Sequence, residues 1–171
     1  MDSHLQRLQD TLAAAMRGLT AEQLTWHPEG KWSTAEVLEH LYLSYRGTVK
    51  GMERCLREQK PLARTPTLRE RWMTTVVVGM GFMPKGRKAP EVAVPRGTPA
   101  EQVSREIVAQ ILAMDDAIRR CEMQFGKRIP VLDHPILGPL TTRQWRKLHW
   151  VHGRHHVKHI WKLREQEVSR G

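Results

Sequence analysis

Apolar residues recur at steps of three and four along most of the chain, and Gly and Pro clusters interrupt them, so the pattern predicts helices joined by turns. Leu5, Leu8, Leu12, Ala15, Met16 and Leu19 mark a first amphipathic helix ending near Gly18. Pro28 and Gly30 then make a turn, with Trp26 and Trp32 placed to pin it against the core. Ser33 followed three residues on by Glu36 has the spacing of a capping box, which opens a second helix running to about Glu58. Its buried stripe reads Val37, Leu38, Leu41, Tyr45, Val49, Met52 and Leu56, with His40 at the stripe's edge. Ser44, Gly47 and Gly51 follow His40 along the same side. Two mid-helix glycines each cost about 1 kcal/mol against alanine, so this bare strip predicts a cavity or a close helix crossing.

Pro61 and Pro66 punctuate a linker, and Thr67 to about Val78 reads as a third helix, with a strand at Val76–Val78 the weaker alternative. From Gly79 to Pro99 the Gly and Pro content predicts a long loop, a candidate lid. Thr98 with Glu101 again has capping-box spacing, and Pro99 suits a first helical position, so a fourth helix starts there and ends at Gly126. Its stripe is Val103, Ile107, Ile111, Met114 and Ile118. Residues 127–140 read as an irregular connection holding Asp133 and His134, after which Thr141 and Gln144 open a last helix. The fold class expected is all-α, in a single domain spanning residues 1–171.

Composition changes this picture little. The net charge of +10 is spread from Arg7 to Arg170 without a basic stretch interleaved with aromatics, so no nucleic-acid partner is expected. No segment is apolar and long enough to span a membrane, and no leader pattern opens the chain, so a cytoplasmic location is expected. Cys55 and Cys121 lie in separate amphipathic helices outside any C-x-x-C pair and read as reduced core residues.

The last helix carries the candidate chemistry. Five of the nine histidines, at 149, 152, 155, 156 and 159, fall within eleven residues. His152 and His156 share the apolar face of Trp145, Leu148, Ile160 and Leu163. Two imidazoles one turn apart on such a face each need a partner, and a shared cation supplies both. A third ligand must come from elsewhere, and His40 is the candidate; three histidines leave coordination positions open. Spacing alone leaves a hydrogen-bonded polar core as the alternative. His149, His155 and His159 are expected on exposed flanks among Lys and Arg, and His27, Asp133 and His134 in turns or loops. Asp133 or Glu36 is a candidate supporting or base residue. Neither an H-E-x-x-H nor a G-x-S-x-G motif is present.

Gly30-Lys-Trp-Ser-Thr-Ala-Glu-Val-Leu-Glu-His-Leu41 and His152-Gly-Arg-His-His156 resemble the two paired motifs of the DinB-like metal-binding superfamily. The resemblance implies an up-and-down four-helix bundle with long crossover loops, often a homodimer, in which one histidine of the first motif and two of the second bind a divalent ion. Matching positions are His40, His152 and His156. Relatives commonly carry glutamine where His159 stands, and the 79–99 loop has no counterpart that can be aligned. Characterised relatives include thiol-dependent S-transferases and isomerases, and others are labelled hydrolases. The expected protein is therefore a metal-dependent enzyme holding Zn²⁺ or Ni²⁺, with a small-molecule substrate and a low-molecular-weight thiol as cofactor. The alternative is a non-catalytic dimeric bundle with a structural or vestigial metal site.

Overall fold

The computed structural model describes residues 1–84 and 88–168, the last of these in its backbone. It is mostly helical: α1 (Ser3–Met16), α2 (Ala21–Thr25), α3 (Thr34–Arg57), α4 (Leu68–Thr74), α5 (Ala100–Phe125) and α6 (Thr142–Val168), with a hairpin of β1 (Pro130–His134) and β2 (Gly138–Thr141). The all-α expectation holds.

Helix α3 packs most extensively along α5, and α1 along α6. Each presents the stripe predicted for it: Leu5, Leu8 and Leu12, then Val37, Leu38, Leu41 and Tyr45, then Ile107, Ile111 and Ile118, with Ile160 and Leu163 from α6, are all buried. Arg146 of α6 pairs with Glu122 and lies 3.6 Å from Asp115, tying α6 to α5. Gly153 is the close-contact point between α6 and α1, since a β-carbon there would lie 2.1 Å from Leu8 Cδ1. Both cysteines are free and buried, as expected. Their thiols donate to the Val131 and Met52 carbonyls, and burial pushes Cys121 up to about 12, so neither is a nucleophile.

The capping boxes predicted at Ser33–Glu36 and Thr141–Gln144 form, each side chain meeting the other residue's backbone N–H. The one at Thr98–Glu101 does not. Helix α5 starts after Pro99 without a side-chain cap, because the Thr98 hydroxyl and N–H are both used by Glu39 of α3. Residues 20–33 contain a short helix, α2, before the Gly30 turn. The Val76–Val78 run is neither strand nor regular α-helix but a π-helical turn, Thr75–Gly79, which places Val77 and Val78 in the core. Trp72 of α4 is 65% exposed.

The larger correction is at 127–140. This stretch is an antiparallel hairpin whose pairing skips at Val131, between Pro130↔Thr141 and Leu132↔Leu140. It packs on α3 through Leu132, whose Cδ2 would lie 2.3 Å from a β-carbon at Gly51. Gly47, one turn earlier, has open space instead. The bare strip on α3 therefore lines the expected cavity at Gly47, while the close approach at Gly51 is made by the hairpin and not by a crossing helix.

Candidate functional site

His40 lies two turns into α3, and His152 and His156 lie one turn apart on α6. The two helices bring the three imidazoles together: His152 Nε2 is 3.0 Å from His40 Nε2 and 3.1 Å from His156 Nε2. All three ligand atoms fall within 4.8 Å of one another, a group that could hold a metal ion. Nitrogens 2.0–2.1 Å from a tetrahedral zinc stand about 3.3 Å apart, so two of the three separations need only a small outward shift.

The protons support this reading of the geometry. The Ala93 carbonyl is 2.7 Å from His40 Nδ1 and can only accept, so His40 carries its proton on Nδ1 and offers a bare lone pair at Nε2. With all three rings neutral, only one of the two Nε2 contacts can be a linear hydrogen bond; the other sets two lone pairs, or a shared proton, face to face. A cation resolves that conflict. Neutrality follows from burial, which lowers His40 despite the Ala93 bond, holds His152 well below the usual imidazole range, and takes His156 down to about 3, with neighbouring histidines adding to the last two. The Ala93 bond also fixes the His40 ring orientation, as partners behind a metal-ligating histidine do. Trp32 packs against the same ring at 5.2 Å.

Glu39, beside His40, holds the same loop. Its buried carboxylate accepts from Gly97 N, Thr98 N and the Thr98 hydroxyl. Burial pushes its carboxyl up, the Thr98 hydroxyl and the backbone N–H groups pull it down, and the result is a pKa below the usual value. Two consecutive residues of α3 thus anchor one strap, 93–98, over the end of the helix. This is the second half of the loop read as a candidate lid; residues 85–87 of that loop lie outside the described residues.

A cavity of about 450 Å³ opens beside the histidines. Ser44, Gly47 and Thr48 form one wall, Met83, Pro90 and Val92 another, and Leu132, His134 and Leu137 of the hairpin a third. His149 was expected on an exposed flank and is 3% exposed: it packs on Trp145 and bonds the Thr48 hydroxyl through Nε2. Its position was readable, because Trp145, His149, His152 and His156 repeat at four, three and four. His134 stands in β1 at the cavity wall rather than in a loop. Asp133 pairs with Arg64, and Glu36 is spent in its capping box, so neither candidate supporting residue reaches the three histidines by a hydrogen bond. His155 and His159, expected on exposed flanks, are half-buried; His155 lines the cavity, and burial first, then His155, Lys162 and Lys31, lowers His159.

This mostly helical chain brings three imidazoles that could hold a metal ion to the rim of a largely apolar cavity. The chain belongs to a family described as Protein of unknown function (DUF1569), which matches residues 1–163. No curated protein and no solved structure matches it.

Proposed function

We propose that this protein is a DinB-like metal-dependent enzyme in which His40, His152 and His156 bind one divalent ion, Zn²⁺ or Ni²⁺, through their Nε2 atoms. The observation that carries this reading is the convergence of three neutral Nε2 atoms, one with its proton fixed away from the centre by the Ala93 carbonyl. Three protein ligands leave room for an exchangeable group, and the adjoining cavity supplies a place for a substrate. The ion would contribute Lewis acidity and affinity for a thiolate, which suits hydrolysis or thiol-dependent S-transfer. The chain's own part is to keep the imidazoles unprotonated, to orient His40 through the strap, and to surround the substrate with apolar walls. No cysteine competes as a nucleophile, since both are buried away from the site.

The four long helices α1, α3, α5 and α6 form the up-and-down bundle of that superfamily in this reading, and the chain acts in the cytoplasm as a homodimer with a low-molecular-weight thiol. Elemental analysis of the purified untagged protein beside its His40→Ala/His152→Ala/His156→Ala variant tests the centre. About one zinc or nickel per chain in the parent and none in the variant is expected. Equal metal in both, or none in either after reconstitution, would sink the proposal. A thiol-plus-electrophile turnover assay then separates a catalytic centre from a structural one.

A further inference from the structure

The cavity that begins at the three histidines ends against the hairpin, and there the wall carries one directed polar group. His134 Nδ1 accepts hydrogen bonds from the backbone N–H groups of Ile136 and Leu137, both at 3.2 Å. A nitrogen that accepts two N–H bonds bears no proton, so in the neutral ring the proton is on Nε2. Burial keeps the ring neutral, with its pKa at about 4. No described residue accepts from Nε2. The ring packs on Trp145, 5.6 Å away centre to centre, and Leu132 and Leu137 line the same cavity. The charged residues on the wall are Asp133, already paired with Arg64, and Lys88, exposed on the loop. A turn that spends its histidine's inner nitrogen on backbone donors has fixed the outer one as a donor facing a mostly apolar space.

We propose that the hairpin end of the cavity is a recognition subsite in which His134 Nε2–H donates to an uncharged oxygen of the ligand. The compound that reaches the three histidines is then largely apolar and carries a carbonyl or amide oxygen on the side that meets the hairpin. The inference about what happens at the other end rests on the metal-enzyme reading; the subsite itself does not. A carboxylate fits this end poorly, because a neutral imidazole gives no counter-charge for an anion taken out of water.

The test uses hexanamide and hexanoate as probes, titrated into metal-free and zinc-loaded full-length protein with ¹⁵N-labelled histidine. In the metal-free protein hexanamide should shift the His134 Nε2–H signal and bind more tightly than hexanoate. In His134→Asn, whose Oδ1 replaces Nδ1 as acceptor for the turn while the outer donor is lost, hexanamide affinity should fall about 3- to 10-fold, the size of one neutral hydrogen bond. The zinc content of that variant should not change. Equal hexanamide affinity in parent and variant, an unmoved His134 signal, or a preference for hexanoate in the metal-free protein would each overturn the subsite. Zinc uptake on reconstitution, read separately, keeps the two ideas apart: a protein that takes up no zinc yet binds hexanamide would remove the metal centre and keep the subsite, and one that takes up zinc but does not bind hexanamide would do the reverse.

Discussion

At the residue scale, the three histidines are not equivalent. His152 touches both other imidazoles, and His156 stands one turn away on the same helix, so either substitution by alanine removes a ligand from a rigid pair. His152→Ala and His156→Ala should each release the metal, whereas His40→Ala should weaken binding and His155→Ala should leave it bound; elemental analysis after dialysis reads all four. Retained stoichiometric metal in His152→Ala would refute the assignment. Glu39 makes a different prediction. Its carboxylate meets three donors of the strap while 1% exposed, so Glu39→Gln should lower stability by about 1–3 kcal/mol, read as a shift in the urea midpoint. Because the folded pKa of Glu39 is depressed, its contribution is present above the unfolded carboxylate value and is lost as pH falls through the folded one. The Gln variant should lose that part of the acid sensitivity.

At the scale of elements, the sequence was most readable where local chemistry decided the structure. Ser33, Glu36, Thr141 and Gln144 have no competing partner, so capping spacing translated directly into caps. Thr98 had the same spacing, yet its hydroxyl was claimed by Glu39, 59 residues earlier, and no local rule carries that information. The hairpin escaped for a related reason. Pro130, Pro135, Gly138 and Pro139 read as breakers, but β1 and β2 are only five and four residues long and form a two-stranded sheet, where prolines are tolerated at edges. His149 was misplaced because its basic neighbours outweighed its helical register with Trp145. Of the candidate site, the three converging histidines were legible from spacing and family resemblance; the strap, Ala93 and the hairpin wall were not, since all are long-range contacts.

The glycines of α3 and α6 allow a comparison of the same substitution in two settings. Gly153→Ala puts a methyl 2.1 Å from a buried leucine methyl, and overpacking at about 1–3 kcal/mol should outweigh the gain in helix propensity of about 1 kcal/mol. Gly47→Ala meets nothing within 4 Å, so it should stabilise by up to about 1 kcal/mol. Thermal unfolding of both variants beside the parent gives the signs, and a stabilised Gly153→Ala would contradict the packing of α1 on α6.

For the whole molecule, buried neutral imidazoles set the response to acid. His149 is held down to about 3 and His134 to about 4, chiefly by burial. The unfolded chain binds protons at these residues below its ordinary value of about 6.5 while the folded one does not, so stability is full above that pH and declines as pH falls toward 3. Each such histidine contributes a slope of up to about 1.4 kcal/mol per pH unit in that window. Denaturant unfolding of the metal-free protein should therefore show stability falling steeply between pH 6.5 and 4; a flat profile would mean that these rings are solvated. No described helix is long and apolar enough to cross a membrane.

Gly47 gives the cavity a property that chemistry at either end does not. In the proposed site the histidines would hold one part of a ligand and the hairpin another, while the cavity wall between them includes a position with no side chain. Alanine, then valine, at 47 would narrow the passage stepwise without touching a polar group. Under the proposed function, tolerance for bulk in a ligand would thereby be separated from its polar recognition, and one helical backbone position could change the set of molecules admitted while leaving the three histidines as they are.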